Sequence, residues 1–356
     1  MEAWVEQLQN SINTLDRLKS FVRVTEDEEA AVVSLKTLWG TTPYFASLME
    51  KEDPGCPIRR QVIPSIHELR NTFETTTLIS ETKPRNALIL PECIVRKYPD
   101  RVAFLVSTRC ASYCRYCFRK ELVMNRNHSP MPDLEEGLLW IRQHKEIRDV
   151  LITGGDPLIL PDERIEHLVR KLREIPHVEM IRFGTRIPVV LPQRITKKLK
   201  KILGGCHRVP IWINIQCNHP KEITRHTAKA VFGLLSCGIN VGNQAVLLKG
   251  INDDIDTFKS LHLKLLSVRV RPYYLFHCEP APGNEHFRTR IETGAELIRN
   301  GLYGHTTGLA QPMYAVDTEA GKCRFEPDFS GLIRFPYCFP AELLKEPAAS
   351  ESGLHR

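Results

Sequence analysis

The chain has 356 residues, of which 42% are hydrophobic and 26% are charged, the balance of a globular protein with a sizeable core. No apolar run approaches the ~18 residues of a membrane span, and the acidic, polar amino terminus does not resemble a signal sequence. The net charge is +7, but basic residues are scattered among acids without interleaved aromatics. We therefore expect a cytoplasmic protein that binds neither nucleic acid nor membranes.

The amino-terminal stretch begins with a predicted packing helix over 4–22. Its apolar residues recur at helical spacing, at Trp4, Leu8, Ile12, Leu15 and Leu18. From there to about residue 95 the sequence is irregular, with proline-containing turns. We interpret residues 1–95 as a helical N-terminal wrap.

After residue 100, short apolar runs alternate with longer amphipathic segments, as parallel strands alternate with the helices that cover them. We count about six such units. The predicted strands span 102–108, 149–155, 178–185, 211–217, 239–248 and 270–278. Right-handed crossovers of this kind form a full or partial barrel, or an open sheet.

Unusual polar residues lie where these predicted strands end. A cysteine cluster follows the first strand, Gly154-Gly155-Asp156 ends the second, and Arg186 follows the third. Gln216 lies at the end of the fourth strand and Glu279 follows the sixth, whereas Gln244 lies within the fifth. Catalytic residues of parallel β/α barrels gather at the carboxyl ends of the strands, so this placement favours a barrel.

The chain has 11 cysteines, an odd number that argues against a disulfide framework where no signal sequence is present. Most of them are widely separated and fit buried, inert thiols. Cys110, Cys114 and Cys117 instead form a CxxxCxxC pattern, which can bind three irons of a cubane cluster and leave the fourth iron open. Structural zinc would require a fourth ligand at comparable spacing, and zinc or plain buried cysteines remain the alternatives.

The CxxxCxxC pattern is the signature of the radical S-adenosylmethionine (SAM) superfamily, and longer segments resemble the lysine 2,3-aminomutase family in order. They include LITGGDPLILPDERI, IRFGTRIPVVLPQRIT, WINIQCNHPKEIT, GNQAVLLKGIND and GHTTGLAQPMYAVD. The resemblance extends from about residue 42 to about residue 322. It implies an α/β fold with a partial (β/α)6 radical SAM barrel over 96–290 and a C-terminal segment over 291–356.

The resemblance also implies three cofactors: a [4Fe–4S] cluster, SAM and pyridoxal 5′-phosphate (PLP). In that family the reduced cluster splits SAM to a radical that removes a hydrogen from the substrate, and PLP allows the nitrogen to migrate. The implied partners are a free amino acid substrate and an electron donor such as flavodoxin or ferredoxin. A homo-oligomer is implied as well, although the short carboxyl-terminal tail leaves the assembly open.

Several residues match family positions near SAM. They are Gly154, Gly155, Asp156, Arg186, Gln216 and Gln244. The glycines let the backbone approach a ligand closely, although a plain strand-to-helix turn would use the same pair. Gln216 replaces an expected histidine, which leaves its contact with SAM open.

Three basic residues match positions that bind PLP. Lys97 and Arg101 correspond to residues that hold the phosphate, with lysine replacing an expected arginine; exposed surface charges are the alternative. Lys322 is the candidate for covalent attachment of PLP, which requires a primary amine in a sheltered site. The glycine run before Lys322 is shorter than in the family, so this assignment depends on where the amine lies.

Three further residues match substrate-binding positions. Arg119 corresponds to the arginine that pairs with the substrate carboxylate, or it merely neutralises the anionic cluster. Glu279 and Asp317 match aspartates that surround the terminal ammonium of lysine, so this acidic pair predicts a cationic side chain. Glu279 is one methylene longer than the expected aspartate, which could suit ornithine or an arginine-like substrate. Alternatively, Glu279 simply pairs with Arg288.

These matches predict a PLP-dependent radical SAM 2,3-aminomutase that moves the α-amino group of a basic, lysine-like amino acid from C2 to C3. Two alternatives stay open. One is a related radical SAM enzyme that acts on a protein-bound lysine or a different amino acid, and the other is a non-catalytic iron–sulfur sensor. We predict no structural zinc, because Asp254 replaces a family cysteine and only Cys338 occurs late in the chain.

Overall fold

The fold was analysed in a computed structural model. The structure describes residues 2–35, 37–69, 90–125, 133–318, 321–327 and 333–334. Cys338, which enters the prediction about zinc, lies outside the described residues. No helix in these ranges combines the length and the apolar composition of a membrane span.

The strands of the described ranges form one ten-stranded sheet, in which every strand pairs with the next one along the chain. They are β1 Ile94–Val95, β2 Arg101–Ser107, β3 Asp149–Gly154, β4 Met180–Thr185, β5 Ile211–Ile215, β6 Asn240–Leu247, β7 Arg271–His277, β8 Met313–Thr318, β9 Gly321–Pro327 and β10 Ile333–Arg334. Strands β2 to β8 run parallel to one another, whereas β1, β9 and β10 are antiparallel to their neighbours.

Strands β2 to β7 are the predicted apolar runs, and the predicted α/β partial barrel is confirmed. These runs form strands because their branched and aromatic residues become buried in the core, as Val150 and Ile152 do on one face of β3. Consecutive parallel strands are neighbours, so the sheet winds in one direction and curls into an open barrel.

Helices precede the sheet and connect its parallel strands. They are α1 Ala3–Gln9, α2 Leu15–Lys19, α3 Glu26–Ser34, α4 Pro43–Ala46, α5 Pro57–Arg60, α6 Lys120–Val123, α7 Leu134–Gln143, α8 Asp162–Arg173, α9 Ile187–Val190, α10 Lys197–Leu203, α11 Arg225–Leu235, α12 Ile255–Ser267 and α13 Ile291–Gly301. In α8 the buried residues Ile165, Leu168 and Leu172 recur at helical spacing. Asp254 caps α12 by accepting a hydrogen bond from the Thr257 backbone N–H at 2.9 Å.

The described part of the carboxyl-terminal segment extends the same sheet. Helix α13 leads into β8, which pairs parallel to β7 as a strand beyond those predicted, and β9 returns antiparallel. Lys322 lies at the start of β9, opposite Asp317 on β8. The segment therefore carries Lys322 directly on the edge of the barrel.

The prediction of one continuous helix over 4–22 is wrong. Helix α1 ends at Gln9, and α2 begins at Leu15 with Thr14 as its cap. Between them, Ile12 exchanges two backbone hydrogen bonds with Thr41, at 2.8 and 3.1 Å. Asn, Ser and Thr favour caps and turns over helix interiors, so the polar residues around Ile12 end the helix although the apolar stripe continues.

Candidate active site

A cavity of about 610 Å³ lies within the curl of the sheet, and all predicted site residues line it. They are Lys97, Arg101, Cys110, Cys114, Cys117, Arg119, Gly154, Gly155, Asp156, Arg186, Gln216, Gln244, Glu279, Asp317 and Lys322. Several of them, such as Cys110, Asp156, Arg186 and Glu279, follow parallel strands that end at the same edge, whereas Lys97 and Arg101 lie just before and at the start of β2. Their catalytic roles remain predictions, and their contacts determine which roles are chemically reasonable.

The cysteine loop between β2 and α6 carries three free cysteines that are partly exposed as residues, although the Cys110 and Cys117 thiols themselves are buried. Burial, followed by the charges of Asp156, Cys117 and Cys114, raises the pKa of Cys110, and burial also raises the pKa of Cys117 to about 11. This mutual influence shows that the thiols are neighbours. Within the described ranges, no group of His, Cys, Asp or Glu is arranged around a single ion. A cubane binds each thiolate through a different iron, so the loop suits a cluster.

The loop after β3 packs directly against the cysteine loop. The Gly155 backbone N–H donates to the Ser107 carbonyl at 2.5 Å, and that of Asp156 donates to the Arg109 carbonyl at 2.8 Å. A Cβ on Gly155 would lie 2.2 Å from the Arg109 carbonyl oxygen, and Gly154 has a φ of +114°. Both glycines are therefore required by the close approach of the two loops, independently of any ligand.

The carboxylate of Asp156 is hydrogen-bonded to other groups of the protein. Its carboxylate accepts hydrogen bonds from the Leu158 backbone N–H at 3.1 Å, the Thr185 hydroxyl at 2.6 Å and the Arg186 backbone N–H at 2.7 Å. The sequence predicts that this carboxylate accepts from SAM, but both of its oxygens are already engaged. In this structure Asp156 instead connects the loops that follow β3 and β4.

Arg186 extends from the end of β4 to the cysteine loop. Its Nη1 lies 2.8 Å from Cys114 Sγ, and its Nη2 donates to Gln61 at 2.6 Å and to Glu222 at 3.0 Å. Its buried Nε has no hydrogen-bond acceptor among the described residues. A buried donor without an acceptor fits an anionic ligand such as the carboxylate of SAM.

Gln216 and Gln244 lie on neighbouring parts of the cavity wall. The Gln216 side-chain oxygen accepts from the Tyr116 hydroxyl at 3.3 Å, and that hydroxyl in turn accepts from Asn218 Nδ2 at 2.7 Å. Gln244 lies on β6 and lines the cavity. Gln216 is therefore oriented by the cysteine loop, which contains Tyr116.

A register shift between β6 and β7 brings consecutive tyrosines to the cavity. Asn243 pairs with Pro272 and Gln244 with Tyr274, so Tyr273 is an extra residue on β7. Tyr273, Tyr274 and Phe276 line the cavity, and the rings of Tyr274 and Phe276 stack with centroids 5.0 Å apart. The sequence analysis missed these aromatics, since a regular strand sends consecutive side chains to opposite faces.

Lys322 lies beside this aromatic surface. Its Nζ is 5.5 Å from the centre of the Phe276 ring, 5.9 Å from that of Tyr274, and 4.0 Å from Asp317 Oδ2. The backbone N–H of Lys322 donates to the Tyr98 hydroxyl at 2.7 Å. A primary amine next to stacked aromatic rings fits the flat, covalently held ring of PLP.

Lys97 and Lys322 flank Asp317. Lys97 Nζ lies 3.5 Å from Asp317 Oδ1 and donates to the Thr318 carbonyl at 3.1 Å. Arg101 is more exposed, and its Nε donates to Asp100 at 2.9 Å. Asp317 thus contacts both lysines predicted for PLP, although its own predicted role is to bind the substrate.

The remaining predicted substrate residues, Arg119 and Glu279, line the same cavity. Arg119 Nη1 donates to the Thr153 hydroxyl at 3.2 Å, which ties it to β3. Glu279 follows β7 and is buried. Burial raises the pKa of Cys278 to about 12, with Arg288 opposing and Glu279 adding to this effect. Glu279 and Arg288 are therefore both neighbours of Cys278, and the alternative of an ion pair between them stays open.

A buried group of charges holds the cysteine loop from its other side. Glu68 accepts from Arg115 Nε at 2.9 Å, from Arg115 Nη2 at 2.7 Å and from Lys120 Nζ at 3.2 Å, and all three residues are buried. Burial opposes ionisation of Glu68, but the charges of Arg115 and Lys120 prevail and lower its pKa. This group was not identified from the sequence, because Glu68 lies 47 residues before Arg115 and 52 residues before Lys120.

A CxxxCxxC loop at the mouth of a partial β/α barrel, beside a buried arginine, defines a radical SAM enzyme. The family model described as the Radical SAM superfamily matches residues 104–261. Among solved structures, SuiB of Streptococcus suis bound to S-adenosylmethionine has a TM-score of 0.47 and 14% identity, with 62% of this chain and 51% of that chain covered.

Curated relatives define the family more narrowly. L-lysine 2,3-aminomutase of Bacillus subtilis is 42% identical over 334 residues, covering 92% of this chain and 69% of the relative. Glutamate 2,3-aminomutase of Clostridioides difficile is 39% identical over 320 residues, covering 88% and 74%. The chain belongs to the lysine 2,3-aminomutase family. It is therefore a radical SAM isomerase that uses a [4Fe–4S] cluster, SAM and PLP, and not a sensor.

Proposed function

We propose that this aminomutase acts on a basic amino acid and moves its α-amino group from C2 to C3. The similarity to lysine and glutamate 2,3-aminomutases is nearly equal, 42% and 39% identity, so overall identity does not select the substrate. The observation that supports a basic substrate is that Glu279 and Asp317 line the same cavity as Arg119 and Lys322. Two carboxylates in a largely enclosed site favour a cationic side chain and oppose a second carboxylate.

The α-carboxylate of the substrate pairs with Arg119 in this proposal. A guanidinium presents a planar fork of donors that matches a carboxylate, and Thr153 orients it from the neighbouring strand at 3.2 Å. Arg119 is separated from Cys117 by one residue, so the substrate backbone is held next to the cluster loop. The β-carbon is thereby held at the cluster end of the cavity.

When bound, the cluster and SAM supply a carbon radical, and PLP supplies the conjugated system across which nitrogen migrates. Cys110, Cys114 and Cys117 would hold three irons. Lys322 would attach PLP, with Tyr274 and Phe276 packed along the ring. Lys97 and Arg101 would bind the phosphate.

Asp317 connects PLP binding with substrate binding in this proposal. It lies 3.5 Å from Lys97 and 4.0 Å from Lys322, so both cations compete with a substrate for its charge. A phosphate held by Lys97 would compete with Asp317 for this cation and would free one side of the carboxylate. Asp317 is then available, together with Glu279, for the terminal ammonium of the substrate.

Turnover also requires an external one-electron donor. The cysteine loop is partly exposed, which is compatible with reduction by a small carrier of the flavodoxin or ferredoxin class. Since the cluster accepts a single electron, no bond in the protein has to change for this step.

The test is an anaerobic assay of the reconstituted protein with dithionite, SAM and PLP. Lysine, ornithine, arginine and glutamate are each supplied, and mass spectrometry measures the β-amino acid and 5′-deoxyadenosine. We expect conversion of at least one basic amino acid. Conversion of glutamate alone would contradict the role of the acidic pair. SAM cleavage with no conversion of any free amino acid would favour a protein-bound lysine or another substrate instead.

A further inference from the structure

Arg186 contacts Cys114, which is one of the three proposed ligands of the cluster. Arg186 Nη1 lies 2.8 Å from Cys114 Sγ, within hydrogen-bond distance of a sulfur acceptor. Binding of iron to Cys114 leaves lone pairs on the sulfur that can still accept a hydrogen bond. The guanidinium is therefore placed to donate to a cluster ligand.

The surrounding protein fixes the Arg186 guanidinium in this position. Nη2 donates to Gln61 Oε1 at 2.6 Å and to Glu222 Oε2 at 3.0 Å, and both partners are fully buried. Glu222 is itself anchored, since its other oxygen accepts from the backbone N–H groups of Asn218 and His219 at 3.0 and 2.9 Å. Gln61 is also anchored, since its Nε2 donates to the Pro57 carbonyl at 3.0 Å, so the arginine cannot easily turn away from the sulfur.

Aromatic rings complete the enclosure of this guanidinium. Its central carbon lies 5.1 Å from the centre of the Phe45 ring and 5.7 Å from that of Tyr116. Arg186 is only 6% exposed. Water is largely excluded, so the hydrogen bond and the positive charge act on the sulfur with little screening.

We propose that Arg186 is a positioning residue that sets the reduction potential of the cluster through Cys114. The reduced cluster carries one more electron than the oxidised one, and its sulfurs are correspondingly better acceptors. A buried cationic donor therefore stabilises the reduced state more than the oxidised state and raises the potential. Arg186 thereby makes the one-electron reduction that precedes SAM cleavage accessible to the external donor.

This inference rests on the proposed cluster site and is separate from the predicted contact of Arg186 with SAM. Nη1 faces Cys114, whereas a contact with SAM would use another atom of the guanidinium, such as Nε. A measurement on the cluster alone, without SAM, PLP or substrate, therefore isolates the contact with sulfur.

The experiment compares the reconstituted wild-type protein with R186Q in an anaerobic redox titration, with the paramagnetic signal of the reduced cluster as the readout. At a fixed potential, we expect the ratio of reduced to oxidised cluster in R186Q to be about tenfold lower than in the wild type. For one electron, this corresponds to a reduction potential that is about 59 mV lower. R182Q is the matched control, because Arg182 lines the same cavity but donates to Asp149 at 2.8 Å. Its potential should stay close to that of the wild type.

A wild-type potential in R186Q with normal iron content would overturn the proposal, as would an equal shift in R182Q. If R186Q retains no iron, the proposal is tested with R186K instead. This variant keeps the positive charge but lacks the planar guanidinium that reaches Cys114, Gln61 and Glu222 together. A lowered potential in R186K supports the proposal, and an unchanged one overturns it. A wild-type protein without any cluster signal would instead refute the cluster site.

Discussion

Two regions of the cavity are built differently: the region around the cysteine loop, here called the cluster end, and the region around Lys322, here called the PLP end. At the cluster end, Asp156 and Arg186 are buried, and their hydrogen bonds to protein oxygens and amides measure between 2.6 and 3.1 Å. At the PLP end, the contacts of Asp317 with Lys97 and Lys322 measure 3.5 and 4.0 Å, and the Lys322 side chain is 27% exposed. The cluster end is a closed network, whereas the PLP end consists of long, partly exposed ion pairs.

This difference suits the proposed chemistry. The cluster end performs the same radical generation in every turnover, so a rigid arrangement formed before any ligand binds is advantageous. The PLP end must exchange partners when the cofactor and the substrate arrive, and weak, partly exposed ion pairs are easily exchanged. Variants at the cluster end should therefore lose the cluster and SAM cleavage, whereas variants at the PLP end should lose binding of PLP or substrate.

The largest effect is expected at the cluster ligands. C117S should lose iron and form no 5′-deoxyadenosine, because two thiolates cannot hold a cubane with one open iron. Iron content, visible absorbance and SAM cleavage measure this. C206S serves as the control, since Cys206 is exposed and does not line the cavity. Full SAM cleavage by C117S would refute the assignment.

Lys322 should affect the PLP end alone. K322A should lose the absorbance of covalently bound PLP and at least about 10³-fold of aminomutation, while cluster absorbance stays unchanged. K322R is the matched control for charge, since it stays cationic but lacks the primary amine and should fail in the same way. Loss of the cluster in K322A would show that the two ends are not independent.

Removal of the Glu68 carboxylate should destabilise the fold. E68Q leaves Arg115 and Lys120 buried without a counter-charge, which should lower the free energy of unfolding by about 3–5 kcal/mol at pH 7. Denaturant titration measures this. E163Q is the control, because Glu163 is exposed and pairs with Lys198 at the surface. Equal stability of E68Q and the wild type would contradict the structural role.

The same pair of proteins makes a prediction about pH. The pKa of Glu68 is lowered in the folded state, so its stabilising contribution is complete above the unfolded pKa of about 4.3. It is lost as the pH falls through the lower folded value. The stability difference between the wild type and E68Q should therefore be constant near neutrality and narrow below about pH 4. A difference that narrows already near pH 7 would indicate another group.

Glu279 should control substrate affinity. E279Q should raise the KM for the basic amino acid about 30-fold, because an unpaired charge in a buried site costs about 2 kcal/mol or more. E279D should restore much of the affinity. Steady-state kinetics with both variants measure this, and a KM that is unchanged in E279Q would support the alternative pairing with Arg288.

The smallest effect is expected at Tyr98. Y98F removes the acceptor of the Lys322 backbone N–H, a hydrogen bond worth about 1 kcal/mol, so PLP should bind about fivefold more weakly. A titration with PLP measures the affinity. Y303F is the control, since Tyr303 does not line the cavity. Unchanged affinity in Y98F would show that the hydroxyl does not position Lys322.

The strands and the location of the cavity could be predicted from the sequence alone. Buried parallel strands read as continuous apolar runs, and the residues after them share one edge, so Cys110, Arg186 and Glu279 could be grouped without coordinates. The motifs of the family resemblance then distinguished these residues from ordinary turns. The prediction of a single first helix failed because the apolar stripe continues past Ile12 while the polar residues beside it cap and turn the chain.

The remaining features depend on contacts that leave no local pattern. Gln61 reaches Arg186 across 125 residues, and Glu68 reaches Arg115 across 47 residues. Neither residue belongs to a periodic segment or to a recognisable motif. Tyr273 faces the cavity only because a register shift on β7 interrupts the alternation of side chains. Such features arise from packing of distant segments and had to be seen in three dimensions.

The contact of Gln61 with Arg186 bears on how far the catalytic unit can be trimmed or transplanted. The stretch that matches the Radical SAM superfamily model, residues 104–261, excludes Gln61, Glu68 and Lys322. A fragment cut at those limits would expose the back of the cysteine loop and leave Arg115 and Lys120 without a counter-charge. The barrel is thus not an independent module. A truncated or fused form of it would have to include the amino-terminal wrap.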